Sequence, residues 1–80
     1  MEKKRVFLTR TLHDFALTEL RKKYQIEIHS GKIPISKTKL RTKIEKVEGL
    51  ICFPYDKIDR ALIDIAKNLK VISTYSVGFD

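Results

Sequence analysis

The chain has 80 residues and a mass of 9.4 kDa, which limits it to one small domain. Hydrophobic residues are 42% and charged residues 34%, the balance of a folded soluble domain rather than a disordered tail. The net charge is +7, and 3 glycines and 2 prolines exclude a collagen-like or low-complexity chain.

Val6-Phe7-Leu8-Thr9 is short, apolar and β-prone, and predicts a buried strand. The charged start Met1-Glu2-Lys3-Lys4-Arg5 is followed by an apolar run too short for a secretory signal. No apolar stretch approaches the roughly 18 residues of a membrane span, so a cytoplasmic protein is expected. A helix is predicted from about Asp14 to Tyr24, where Leu12, Ala16, Leu17 and Leu20 recur at helical spacing. Asp14 near its start and Arg21, Lys22 and Lys23 in its last turn match the helix dipole. Ile26-Glu27-Ile28-His29 alternates apolar and polar, as a half-buried edge strand does.

Ser30 to Pro34 reads as a loop, and Ser36 as the N-cap of a second helix. Leu40, Ile44 and Val47 share one face of that helix. Six cations between Lys32 and Lys46 face one carboxylate, Glu45. They flank the apolar face on both sides, as on a solvated helix, rather than forming one nucleic-acid-reading stripe.

Gly49 to Pro54 is apolar on both faces, as in the middle of a covered parallel sheet. Asp56 followed by Asp59 resembles a capping box at the start of a third helix, whose stripe is Ile58, Leu62, Ile65 and Leu69. Val71-Ile72-Ser73-Thr74-Tyr75 is the fourth strand. The order βαβαβαβ predicts an α/β fold with a flavodoxin-like parallel sheet in the order 2-1-3-4. The fourth strand then lies at an edge, apolar and uncharged, so the sheet reads as incomplete.

Little chemistry is visible. Gly31, Gly49 and Gly78 are too far apart for a Gly-rich phosphate loop. The single cysteine, Cys52, excludes a disulfide scaffold and sits in an apolar strand as a free, small hydrophobe in a reducing compartment. His13 and His29 read as surface or loop-packing residues, and neither a metal site nor a catalytic residue is expected. Thr9-Arg10 and Pro54 stand where a receiver-type phosphorylation domain needs acidic residues. Ligands of open parallel sheets bind at the strands' carboxyl ends, where the loops after the first, third and fourth strands converge. Ser76, Val77 and Gly78 can close their backbone N–H groups on a carboxylate, although a plain glycine turn accounts for the same residues.

Leu69 to Asp80, read as L-K-V-I-S-T-Y-S-V-G-F-D, resembles a segment near the start of D-isomer-specific 2-hydroxyacid dehydrogenases, closest to the glyoxylate/hydroxypyruvate reductase branch. Arg5 to Arg10, Val47 to Cys52 and Lys57 to Ala66 resemble that branch's first strand, third strand and following helix. The resemblance implies that residues 1–80 are the N-terminal part of a substrate-binding domain, with the nucleotide-binding domain outside this chain. It implies a parent enzyme, a homodimer, that reduces a small 2-keto acid to a 2-hydroxy acid with NAD or NADP as cofactor. It assigns Ser76, Val77 and Gly78 to the substrate carboxylate, and places Pro54 and Tyr55 beside the substrate. Pro54 departs from the Leu common at that position. The acid/base pair, the substrate-clamping Arg and the cofactor-binding residues lie outside the segment, so the 80-residue chain alone is expected to be inactive and to bind no cofactor. The alternative is a small basic module that contacts nucleic acid through Lys32–Lys46.

Overall fold

The computed structural model describes residues 3–56 and 58–74. Within them the elements alternate as the apolar pattern requires: β1 (Lys4–Leu8), α1 (Asp14–Lys23), β2 (Tyr24–Ile28), α2 (Lys37–Ile44), β3 (Gly49–Cys52), α3 (Arg60–Ile65) and β4 (Val71–Thr74). The four strands form one sheet in the order β2-β1-β3-β4, and every pair is parallel. β1 and β3 are central, which is why Val6–Leu8 and Leu50–Cys52 are apolar on both faces.

The strand period of two sorts those side chains into two clusters. Phe7, Leu50 and Cys52 point to one face, where they meet Leu40 and Ile44 of α2, Leu62 of α3, and Val47. Val6 and Leu8 point to the other face and pack with Leu17 of α1, flanked by Ile26, Ile28 and Ile51. Phe7, Leu8, Ile44, Leu50 and Leu62 are almost completely buried. Each contributes about 1.5–3 kcal/mol relative to an exposed position. β2 buries one face only. Glu27, on its other face, forms an ion pair with Lys43 of α2.

Ser36 caps α2 as expected, accepting from the Lys39 N–H at 3.2 Å. The capping-box reading of Asp56 is corrected by the structure. Asp59 is the N-cap of α3 and accepts from the Leu62 N–H at 2.9 Å. The Asp56 carboxylate is held elsewhere, by the Thr9 hydroxyl and the Phe53 N–H. Lys37 lies 2.5 Å from the Asp59 carboxylate. That hydrogen bond, then the Leu62 N–H, holds the Asp59 carboxyl below the usual carboxylate range. α3 ends at Ile65, so Leu69 packs on the core from beyond the helix rather than from its stripe. β2 begins at Tyr24, earlier than the alternation from Ile26 implied, because its first residues pair with Lys4 and Arg5 of β1.

Candidate active site

The ligand-facing end of a parallel sheet is the carboxyl end of its strands. Here β1 runs into Thr9 and Arg10, and β3 runs into Phe53, Pro54, Tyr55 and Asp56. Thr9 is fully buried although polar. Its N–H donates to the Ile51 carbonyl at 3.1 Å, and its hydroxyl donates to Asp56 Oδ2 at 2.5 Å. The same Oδ2 accepts from the Phe53 N–H at 2.8 Å, and the Asp56 N–H donates back to the Phe53 carbonyl at 2.9 Å. One carboxylate therefore ties the loop after β1 to a tight turn after β3. Its second oxygen, Oδ1, is buried and has no hydrogen-bond partner among the described residues.

A second contact joins the same two loops. Arg10 Nη1 donates to the Tyr55 hydroxyl at 2.9 Å, and the guanidinium carbon lies 5.8 Å from the centre of the Phe53 ring. The Phe53 and Tyr55 rings stack with centres 5.9 Å apart and planes 10° from parallel. The aromatic pair and the hydroxyl thus hold a fixed, solvent-accessible cation at the carboxyl end of the sheet. Such a cation attracts anionic ligands.

Pro54 and Tyr55, expected beside the substrate, are exposed at this end, next to Arg10. Ser76, Val77 and Gly78 lie outside the described residues. The chain direction carries β4 to Thr74, at the same end of the sheet. The sequence reading did not single out Arg10 or the Thr9–Asp56 pair. No local motif marks contacts between residues 45 and 47 positions apart. The available signal was the convergence of the loops after β1 and β3.

Cys52 offers no nucleophile. Cys52 is buried in the cluster with Leu50 and Leu62, and its Sγ lies 3.7 Å from the Ser73 carbonyl and 3.8 Å from the Thr74 hydroxyl of the neighbouring strand. Burial pushes the thiol up; the Thr74 hydrogen bond opposes this, and the nearby Asp56 charge adds to it. His29 Nε2 lies 2.8 Å from the Lys32 carbonyl, a loop-packing role. Among the described residues there is no group of three or more His, Cys, Asp or Glu side chains able to hold a metal, and no helix long and apolar enough to cross a membrane.

An open parallel sheet flanked by helices, with the loops after β1 and β3 meeting at its carboxyl end, defines an α/β domain of the doubly wound class. The catalytic-domain pattern of the D-isomer specific 2-hydroxyacid dehydrogenases matches residues 6–80. The chain belongs to that family. It is 41% identical over 81 residues to a glyoxylate reductase of Thermofilum pendens, covering 100% of this chain and 24% of that protein. It is 32% identical over 78 residues to a glyoxylate reductase of Thermococcus litoralis, again covering 24% of the relative. Among solved structures, the TT0316 protein from Thermus thermophilus superposes with a TM-score of 0.82 at 44% identity, over 95% of this chain and 24% of that one. A dehydrogenase from Polaromonas shares the fold at a TM-score of 0.85 and 24% identity. The chain thus spans about a quarter of the length of the relatives it matches.

Proposed function

We propose that these 80 residues are the leading part of an enzyme that reduces glyoxylate or hydroxypyruvate, drawing on NADH or NADPH. The observation that carries the reading is the 41% identity to a glyoxylate reductase over the whole chain. In this reading the backbone N–H groups of Ser76, Val77 and Gly78 take the substrate carboxylate. Pro54 and Tyr55 border the substrate, and Arg10, fixed on Tyr55, draws the anion toward the loop. The sequence holds no Gly-rich phosphate loop, so in this reading the nicotinamide nucleotide is held by the remainder of the parent. The nucleotide, when bound by the remainder of the parent, supplies the hydride. The 80-residue segment alone positions a carboxylate without a reactant and turns over nothing. The parent is a cytoplasmic homodimer in this reading.

The test compares the pure 80-residue chain with a protein extended to the length of its relatives. Each is given glyoxylate or hydroxypyruvate with NADH or NADPH, and nicotinamide absorbance is followed. Oxidation by the extended protein alone is the expected result. Turnover by the short chain, or an extended protein inert on both acids, overturns the reading. In the extended protein, Val77→Pro removes one backbone N–H and should raise KM for the keto acid while leaving KM for the nucleotide unchanged.

A further inference from the structure

A broad concavity lies at the opposite end of the sheet from the candidate active site. It is an open groove of about 1090 Å³ along the amino ends of the strands. Among the described residues, Lys3, Lys4, Arg5, Arg21, Lys46 and Lys70 line it, with one carboxylate, Glu48. All six cations are exposed. The three ion pairs of the described residues, Lys22–Glu19, Lys37–Asp59 and Lys43–Glu27, all lie elsewhere.

Helix carboxyl ends also face this side of a parallel α/β sheet, and part of the charge answers them. Lys3 Nζ donates to the Arg21 carbonyl in the last turn of α1 at 2.7 Å. A helix end carries only about half an elementary charge, so three such ends and Glu48 leave most of the six cations uncompensated. Glu48 is itself engaged, with Oε1 accepting from the Arg5 N–H at 2.8 Å. Of the cations between Lys32 and Lys46, only Lys46 reaches this groove. Lys37 and Lys43 are neutralised by Asp59 and Glu27. The fold thus gathers a positive surface from residues far apart in sequence, while the basic stretch of the sequence is partly spent in ion pairs.

We infer that the amino-end groove binds the sugar-phosphate backbone of single-stranded nucleic acid. A closed cradle suits one small anion, whereas an open, multiply cationic groove tracks a chain of phosphates. A duplex is read by a protruding helix or ribbon, and the surface here is concave. Binding is independent of base sequence, because six cations dominate a lining whose two amides, Gln25 and Asn68, are too few to read successive bases, while Tyr24 offers any base a ring to stack on.

The test measures anisotropy of a fluorescent oligothymidylate titrated with the 80-residue chain. With six phosphates neutralised, affinity should fall about 300-fold between about 50 and 200 mM salt. The triple variant Lys4→Gln, Arg21→Gln, Lys70→Gln should bind at least tenfold more weakly at the lower salt. Its salt response should shrink to about 20-fold. A charge-matched control, Lys32→Gln, Arg41→Gln, Arg60→Gln, should keep the steep salt response and most of the affinity. No binding at low salt overturns the inference. Equal losses in the two triple variants also overturn it, because an unlocalised charge effect, or an unfolded basic chain, gives that result. Tighter binding of inorganic polyphosphate than of the oligonucleotide at equal charge would overturn the nucleic-acid assignment.

Discussion

The hydroxyl of Thr9 donates to the carboxylate of Asp56 at 2.5 Å, across 47 positions of sequence. That bond joins the carboxyl ends of β1 and β3 from inside the protein, since Thr9 has no exposed surface. The contact that presents Arg10 to solvent, its hydrogen bond to Tyr55, sits directly on this joint.

Removing either partner should therefore weaken the fold and loosen the ligand end together. Thr9→Val keeps the shape and deletes the donor, and should lower unfolding free energy by about 1–2 kcal/mol. Asp56→Ala should lower it by about 2–3 kcal/mol, because the Phe53 N–H and the Thr9 hydroxyl both lose their acceptor. Urea midpoints of the two single variants and the double variant form a mutant cycle. A coupling of at least about 0.5 kcal/mol is expected, and strict additivity would show that the two side chains act separately.

Cys52 should be chemically silent in the folded chain. It is buried in the core cluster, and burial raises its pKa. Modification by Ellman's reagent at neutral pH should be slow and should accelerate with urea in step with unfolding. The sign of the pH effect follows from the raised value. The stabilisation is complete below the ordinary thiol range of about 8.5, and is lost as pH rises through the higher folded value. Thermal unfolding of Cys52→Ser should not reproduce that alkaline decline. An equal decline in both proteins would assign it to other groups.

Gly49, at the start of β3, is fixed by its neighbours rather than by its backbone angles. A Cβ built there would lie 3.2 Å from Val6 Cγ2 and 3.4 Å from Val71 Cγ1. Val6 is buried and stiff about χ1, so it yields little; Val71 is exposed and can turn aside. Gly49→Ala gains about 0.4–1 kcal/mol from a less flexible unfolded chain, and crowding takes away about 1–3 kcal/mol. A net loss of about 1 kcal/mol is expected. In a Val6→Ala background the loss should vanish or reverse, which differential scanning calorimetry can resolve.

The strand order was legible because β1 and β3 are apolar on both faces while β2 alternates, which places β2 at an edge without reference to any contact. Ser36 was legible as a cap because it immediately precedes its helix. Asp56 was misread for the same local reason. Its spacing to Asp59 fits a capping box, and only the fold brings Thr9 close enough to claim the carboxylate. The site was legible at the level of loops, since topology decides which loops meet. Arg10 was not, because its role depends on a tyrosine 45 positions away. The amino-end groove was hidden likewise. Lys4, Arg21 and Lys70 form no run in the sequence and meet only when the parallel strands align their starts.

β4 bounds the sheet with all four residues exposed, Val71 at 60% and Ile72 at 37%. It pairs with β3 on one side, from Gly49↔Val71 to Cys52↔Thr74, and offers uncharged, β-prone backbone on the other. Such an edge recruits another strand when nothing blunts it. The 80-residue chain should therefore show concentration-dependent self-association by sedimentation velocity. Val71→Lys adds a charge at the edge on the strand's most exposed apolar side chain, and should shift the population toward monomer. Ile63→Lys, on an apolar residue of α3 that is 46% exposed, should leave association unchanged. That contrast separates pairing through the β4 edge from a general loss of stickiness. A monomer at all concentrations, or equal effects of the two substitutions, would show that the edge is not what joins the chains.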